Sequence, residues 1–485
     1  MSVKKNKKDF KILFVSFFNG EALGTRLLFS ILHNLGYNTK LLFFKVPFQN
    51  KHATSQDVSE EELKLFDDFV LEYKPDLIAF SLVSSVFGLY KKIYNRIKNL
   101  SDFKILIGGW QASLNPDECI KYSDLVCIGE GEEAIEELVD KLYNNLPIDS
   151  IQNFWRKKED KIIKNTPRPI LNNLSKYPVS VFDDDLSSYI ENNELVNKEV
   201  YKLNTRYGII AGRGCPYRCT YCSNVYMAQN VYPDNWCKIR YRNPDHVMSE
   251  LLEVKKTLPE IERINFYDEV LIPSKEWANA FFPRYKNEID LPFYCMFFPG
   301  TATEELIKLL KDSLLAGVWI GIQSGSEKIR KNIFKRHYKN SVVIEQANLF
   351  KKYDISVRYD FIFDNPFQTF EDSLESIQLM LELPQPYSMN LFSLKYFPNT
   401  EITEMALDAG FISSKDLDDK RSADRDGYWI KLNNENTDNN FINHVVYYIN
   451  KMASQSKLDK KEIYEAIEEY KLSNKLDFIR KKLEL

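Results

Sequence analysis

The sequence predicts an α/β chain in two parts. A doubly wound, Rossmann-like parallel sheet occupies residues 1–150, and a partial (β/α)6 barrel occupies 205–405. A linker fills 151–204, and a mainly helical region runs from 406 to 485. Three observations carry this: apolar strands alternating with amphipathic helices at the start, a polar proline-bearing break, and a renewed strand-then-helix rhythm after it.

The first part reads element by element. Phe10–Phe18, apolar but for Lys11 and Ser16, reads as a buried strand, and Leu23–Leu35 has helical spacing stopped by Gly36. Strands follow at 38–44, 76–82, 104–109 and 124–128, with helices at 61–73, 89–100 and 132–143. In such sheets ligands bind beyond the carboxyl ends of the strands. Those ends carry Ser81, the pair Gly108-Gly109 and the run Gly129-Glu130-Gly131-Glu132. Glycine there serves either a tight turn or the close approach of backbone to a large flat ligand.

The stretch from about 150 to 200 is polar, with Pro167, Pro169, Pro178 and the turn Phe182-Asp183-Asp184-Asp185, and it reads as a boundary. Tyr207–Ala211 then forms a strand and Pro244–Lys256 a helix. Further strands are expected at 263–269, ending in Asp268 and Glu269, and at 319–327, 359–369 and 390–394. Their repetition implies a six-stranded parallel barrel open on one side. Beyond 405 the pattern turns helical around a polar segment, 416–440, that contains Tyr428, Trp429 and Ile430; the last helices are expected at 459–472 and 476–485.

Between the first barrel strand and its helix lies Arg213-Gly214-Cys215-Pro216-Tyr217-Arg218-Cys219-Thr220-Tyr221-Cys222. Its Cys-x3-Cys-x2-Cys spacing gathers three thiolates on a short loop. Structural zinc closes with four ligands, whereas a four-iron cluster held by three cysteines keeps one iron open to a further ligand. A zinc loop would need a fourth ligand from elsewhere, and no histidine is nearer than His246.

This loop, with Tyr221 before its last cysteine, resembles the signature of the radical S-adenosylmethionine (SAM) enzymes. Arg213-Gly214-Cys215-Pro216, together with the upstream Gly-Gly and Gly-Glu-Gly-Glu strand ends, is similar to the branch with an N-terminal cobalamin-binding domain. The resemblance implies a [4Fe-4S] cluster on Cys215, Cys219 and Cys222, and SAM contacts at Tyr221, Asp268, Glu269, Gln323 and Ser324. It implies cobalamin contacts at Ser81, Gly108, Gly109, Gly129, Glu130 and Gly131. The chain departs from the pattern at four places, one of them Phe397-Pro398-Asn399-Thr400 where a Pro-Gly-Thr is common. The loop after the first strand, Phe17–Gly24, lacks the Asp-x-His-x-x-Gly motif of an axial histidine; Trp110-Gln111 follows Gly109 where relatives often have Pro-His; and Asp364-Asn365-Pro366 replaces Gly-Leu-Pro. A methylthiotransferase would need three cysteines in the first part, which holds only Cys119 and Cys127.

The function implied is reductive cleavage of SAM to a 5′-deoxyadenosyl radical, with cobalamin carrying a methyl group to an unactivated carbon of a small molecule. A cobalamin-dependent cyclase or rearrangement enzyme that transfers no methyl group is the alternative, and a non-catalytic cobalamin or metal sensor is the alternative of another class. No catalytic acid or base is assigned. An electron donor such as flavodoxin or ferredoxin is expected, and the oligomeric state is left open.

Bulk composition agrees with a small-molecule partner. With 65 Lys and Arg against 69 Asp and Glu, a net charge of -4 supplies no field for gripping nucleic acid. No apolar run approaches the roughly 20 residues of a membrane span, and Met1–Asp9 reads as charged rather than as a secretory leader. Seven cysteines form no disulfide framework, so a reducing cytoplasm is expected.

Overall fold

A computed structural model describes residues 6–46, 58–233, 235–271, 273–414, 429–433, 436–473, 476 and 481. They fall into two compact units, one within 1–216, 222–264 and 397–425, the other within 217–221, 265–396 and 426–485.

The first sheet lies within the first unit, and its strands are β1 (Lys11–Phe17), β2 (Asn38–Phe44), β3 (Leu77–Ser81), β4 (Lys104–Gly108), β5 (Leu125–Cys127), β6 (Phe154–Lys158), β7 (Lys161–Lys164), β8 (Ser187–Glu191) and β9 (Glu194–Asn197). The sheet order is β7-β6-β5-β4-β3-β1-β2-β8-β9. β1 pairs in parallel with both β2 and β3, so the chain winds outward in both directions from that point. Successive residues serve opposite faces: Ile12 and Phe14 join the core on one side, Leu13 and Val15 the core on the other. Both faces are therefore dry, which accounts for consecutive apolar residues from Ile12 to Val15 in β1.

The segment 151–204, read from sequence as a linker, holds β6, β7, β8 and β9, which extend the sheet at both edges. Its alternation was hidden because β7 and β9 are half-exposed or exposed at every position. A buried ion pair ties part of this segment down. Arg26, on the helix Leu23–Asn34, donates to Glu199 at 2.6 Å, and both side chains are 0% exposed. The guanidinium also lies 4.6 Å from the Tyr201 ring centre and 4.8 Å from that of Phe43.

After β10 (Arg206–Ile209), β11 (Gly212–Arg213) and β12 (Arg240–Tyr241) form a short antiparallel pair around the cysteine loop and the turns after it. The remaining strands are β13 (Arg263–Phe266), β14 (Phe293–Phe297), β15 (Leu315–Gln323), β16 (Ser356–Phe363) and β17 (Ser388–Ser393). The second sheet runs β10-β13-β14-β15-β16-β17, with β14 through β17 parallel. β14 was not foreseen; it follows a helix of aromatic residues with Pro283 inside it. Helices at Glu304–Asp312, Asn340–Lys352 and Phe370–Glu382 cover this sheet's connections, the last opened by a Thr369–Asp372 capping box. Helices Thr437–Ser454 and Lys460–Ser473 follow. The helix expected at 476–485 and most of the polar segment 416–440 lie outside the described residues. No described helix is long and apolar enough to cross a membrane.

Removing one member of a buried pair strands the other charge. Glu199→Ala is expected to cost about 3–5 kcal/mol of stability, read as a lowered midpoint in urea denaturation.

Candidate functional site

The first unit contains a cavity of about 470 Å³ at the carboxyl ends of β1, β3, β4 and β5. Ser81, Gly108, Gly109, Gly129, Glu130 and Gly131, the six candidates for cobalamin contact, all line it. Two of the glycines answer to protein atoms. At Gly109, with φ +87°, a side chain would meet the Leu82 carbonyl at 2.8 Å; at Gly129, with φ +81°, it would overlap the Tyr232 hydroxyl. That hydroxyl accepts from the Glu130 backbone N–H at 2.8 Å. Around Gly24, another lining residue, nothing lies within 4 Å of where a Cβ would be, so there the wall is open.

Glu130 is an ion-pair hub. Its carboxylate accepts from Arg213 at 3.1 Å, from Arg240 at 2.9 Å and from the Leu171 N–H at 3.0 Å. Burial alone would raise its pKa, but Arg213 and Arg240 outweigh burial and hold it below the ordinary carboxylate range. Arg213 also donates to Glu132 at 2.5 Å. The acids of Gly-Glu-Gly-Glu thus bind the arginine that precedes the cysteines, a pairing that neither motif discloses alone. His246 lines the same cavity with both ring nitrogens engaged: Nδ1 accepts from Arg242 at 3.0 Å, and Nε2 meets the Tyr177 carbonyl at 2.8 Å. Burial, then the Arg242 charge, lowers its pKa, so a neutral ring protonated on Nε2 satisfies both contacts.

None of the cysteines is disulfide-bonded; Cys219 is buried, Cys215 and Cys222 half-buried. Among the described residues, no three His, Cys, Asp or Glu side chains converge as a single metal ion would require. The cysteine chemistry fits an anionic cluster at Cys219. Arg336 Nη1 lies 3.3 Å from its Sγ and donates to the Tyr221 hydroxyl at 3.1 Å. Nη2 donates to the Gly321 carbonyl, and the guanidinium sits 4.2 Å from the Phe298 ring centre. Arg336 is 6% exposed, yet no carboxylate of the described residues pairs with it, so thiolate or bound carboxylate would complete its electrostatics. Sequence reasoning missed Arg336, whose only signal was its place in Lys335-Arg336-His337-Tyr338 after the Ser-Gly-Ser-Glu turn.

Tyr221 lies in the cysteine loop, and the other four SAM candidates lie at strand ends but are not equivalent. Asp268 is 2% exposed, whereas Glu269 is exposed. Gln323 ends β15 in the left-handed region at φ +74°. Ser324 turns inward: its hydroxyl accepts from the Ser326 N–H at 3.2 Å and faces Ser376 at 3.4 Å. At Gly325 a side chain would overlap the backbone of Ser376, which explains the glycine. Two buried atoms near strand ends have no partner, Asn265 Oδ1 on β13 and Asn365 Nδ2 after β16. An unpaired acceptor and an unpaired donor are what a polar ligand would satisfy.

One face of this sheet is half-exposed, carrying Tyr294, Trp319, Gly321, Asp360, Asn390 and Phe392. Gly321 pairs in register with Asp360, and Asp360 with Asn390, whose amide donates to its carboxylate at 2.8 Å. Burial pushes the Asp360 carboxyl up to about 6. An acid inside Tyr359-Asp360-Phe361-Ile362-Phe363 was a legible anomaly that the strand assignment passed over.

Two family models match separate parts of the chain, the B12 binding domain over residues 12–139 and the radical SAM superfamily over 209–380. The chain belongs to the radical SAM enzymes with a B12-binding domain. Its cofactors are accordingly SAM, an iron–sulfur cluster and cobalamin. It is 24% identical over 347 residues to an uncharacterized methyltransferase of Pyrococcus horikoshii, spanning 70% of this chain and 71% of that protein. Its fold is similar to that of TsrM, a radical SAM methyltransferase of Kitasatospora setae solved with tryptophan substrate and a SAM analogue. There the TM-score is 0.66 at 16% identity, covering 82% of this chain and 76% of that one. Against the cobalamin-dependent SAM radical enzyme OxsB, with aqua-cobalamin bound, the TM-score is 0.67 at 16% identity, covering 95% and 71%.

Because folding raises the Asp360 pKa from its ordinary 3.8 to about 6, its contribution to stability is present below pH 3.8 and lost as pH rises through 6. Asp360→Asn abolishes that loss. Urea denaturation is expected to show the variant gaining about 2 kcal/mol on the native chain between pH 4 and 7, and a constant difference would refute the raised carboxyl pKa.

Proposed function

We propose that this enzyme methylates an unactivated carbon of a small molecule. Cys215, Cys219 and Cys222 hold a [4Fe-4S] cluster; Asp268, Gln323 and Arg336 position SAM; and the strand-end cavity holds cobalamin. The carrying observation is that cavity, lined by all six strand-end residues of a B12 binding domain in a chain whose second family match is radical SAM. The relative from Pyrococcus and TsrM are both named methyltransferases, which supports methyl transfer over rearrangement.

When bound, these cofactors supply one-electron cleavage of SAM and a transferable methyl group. The protein supplies geometry. Arg336 offers a fixed cation to the SAM carboxylate or the thiolates, already desolvated and aimed. The half-exposed face with Tyr294 and Trp319, whose ring centres are 5.6 Å apart, keeps water from a reactive centre and orients the substrate. Asp360, with its pKa near 6, receives a hydrogen bond from a substrate hydroxyl or amine while Asn390 holds the carboxylate in place. Flavodoxin or ferredoxin is the proposed electron donor, and the unbridged cysteines support a cytoplasmic setting.

Anaerobically reconstituted enzyme given SAM and reductant is expected to yield 5′-deoxyadenosine together with S-adenosylhomocysteine. 5′-Deoxyadenosine alone would overturn methyl transfer and leave rearrangement. Cys219→Ala is expected to keep its circular dichroism while its bound iron and both products fall to background.

A further inference from the structure

Both ends of the cysteine loop are fastened to walls of the strand-end cavity. Upstream, Arg213 stands two residues before Cys215 and pairs with Glu132 at 2.5 Å and Glu130 at 3.1 Å, and all three side chains line the cavity. Downstream, Asn224 stands two residues after Cys222, and its Oδ1 accepts from Trp236 Nε1 at 2.8 Å inside the core. Trp236 lines the cavity too and meets Trp110, another wall residue, edge to face with ring centres 6.3 Å apart. Between them Gly214, at φ +102°, presses on the Trp236 and Lys238 carbonyls so closely that a side chain would overlap the backbone. Asn224 is 5% exposed and Trp236 8%. The loop therefore cannot lift at either end without breaking an ion pair or an indole hydrogen bond that belongs to the cavity wall.

We propose that cavity occupancy and cluster assembly are thermodynamically linked through these two anchors: bound cobalamin stabilises the cluster, and the cluster tightens cobalamin. The proposal rests on the cofactor assignment above. Cluster loss requires the loop to open locally, and a ligand packed on Trp236 and Arg213 raises the free energy of that opening. Linkage is reciprocal, so one factor governs both directions. Asn224 touches the loop and the indole without lining the cavity, which makes it the cleaner handle; Arg213 carries the electrostatic anchor.

The test uses the full chain, anaerobically reconstituted and challenged with an iron chelator, with and without saturating hydroxocobalamin. Loss of the cluster is followed by its visible absorbance. Cobalamin is expected to slow the loss about fivefold or more in the native protein. Asn224→Leu and Arg213→Met are each expected to shrink that factor, the pair together to abolish it, and Arg213→Lys to restore most of it. A native cluster lost at the same rate with and without bound cobalamin overturns the proposal, as does a double variant that keeps the full factor. Should the double variant fail to fold by circular dichroism, the native protein alone decides. Its cobalamin affinity with and without cluster must change by the factor found in the chelator assay, and unequal factors sink the linkage. A native chain that takes up no cobalamin removes the ligand and overturns the proposal together with the cofactor assignment, which cobalt content reports separately.

Discussion

A guanidinium taken out of water must find a counter-charge, and three arginines of this chain meet that demand in three ways. Arg26 pairs with Glu199 and so holds the segment after the first domain's helices against the sheet. Arg213 pairs with Glu130 and Glu132, which ties the strand before the cysteines to the glycine-rich end of β5. Arg336 has tyrosine, a carbonyl and aromatic faces, and at 3.3 Å the sulfur of Cys219. The first two are complete within the protein and act as fasteners. The third has no carboxylate at ion-pair distance among the described residues, with the Asp360 charge acting on it from farther away, and this supports the binding role proposed for it.

The same contrast separates residue types that sequence motifs treat alike. Glu130 and Glu132 occur in a run that suggests ligand contact, yet their carboxylates are committed to arginines. Gly109 and Gly129 sit where a flat ligand would approach, yet both are glycine because Leu82 and Tyr232 leave no room for more. Ser324 belongs to the turn it helps build. The cavity is thus framed by residues whose first duty is to hold the frame.

Much of this could be read from sequence because the signal was local. The strands and longer helices of the first 143 residues announced themselves by apolar runs and helical spacing, and the cysteine loop by its spacing, whereas the short helices Trp110–Leu114 and Pro116–Cys119 did not. What stayed hidden was long-range or weakly patterned. β6 and β7 read Phe-Trp-Arg-Lys-Lys and Lys-Ile-Ile-Lys, too charged and short to distinguish from loop, and they gain strand form only by adding to an existing edge. β14 is aromatic and follows a proline-bearing helix, and the turn signals that frame it, Pro292 before and Pro299-Gly300 after, were passed over. Arg336 and Cys219 are separated by 117 residues, and no pattern in either neighbourhood points to the other. Asp360 was visible as a polar residue in an apolar strand, but its partner Asn390 follows only from the register of β16 on β17.

The second sheet ends on β17, and an open sheet carries unpaired backbone donors and acceptors along its last strand. Here the chain returns to cover part of that row: Trp429 bridges antiparallel to Phe392, their rings stack with centres 5.0 Å apart, and the Ile430 N–H reaches the Leu391 carbonyl at 3.1 Å. A barrel left ajar for chemistry is in this way denied as a template for strand addition by a second molecule. A shortened chain ending before Trp429 would trade that protection for a sticky border.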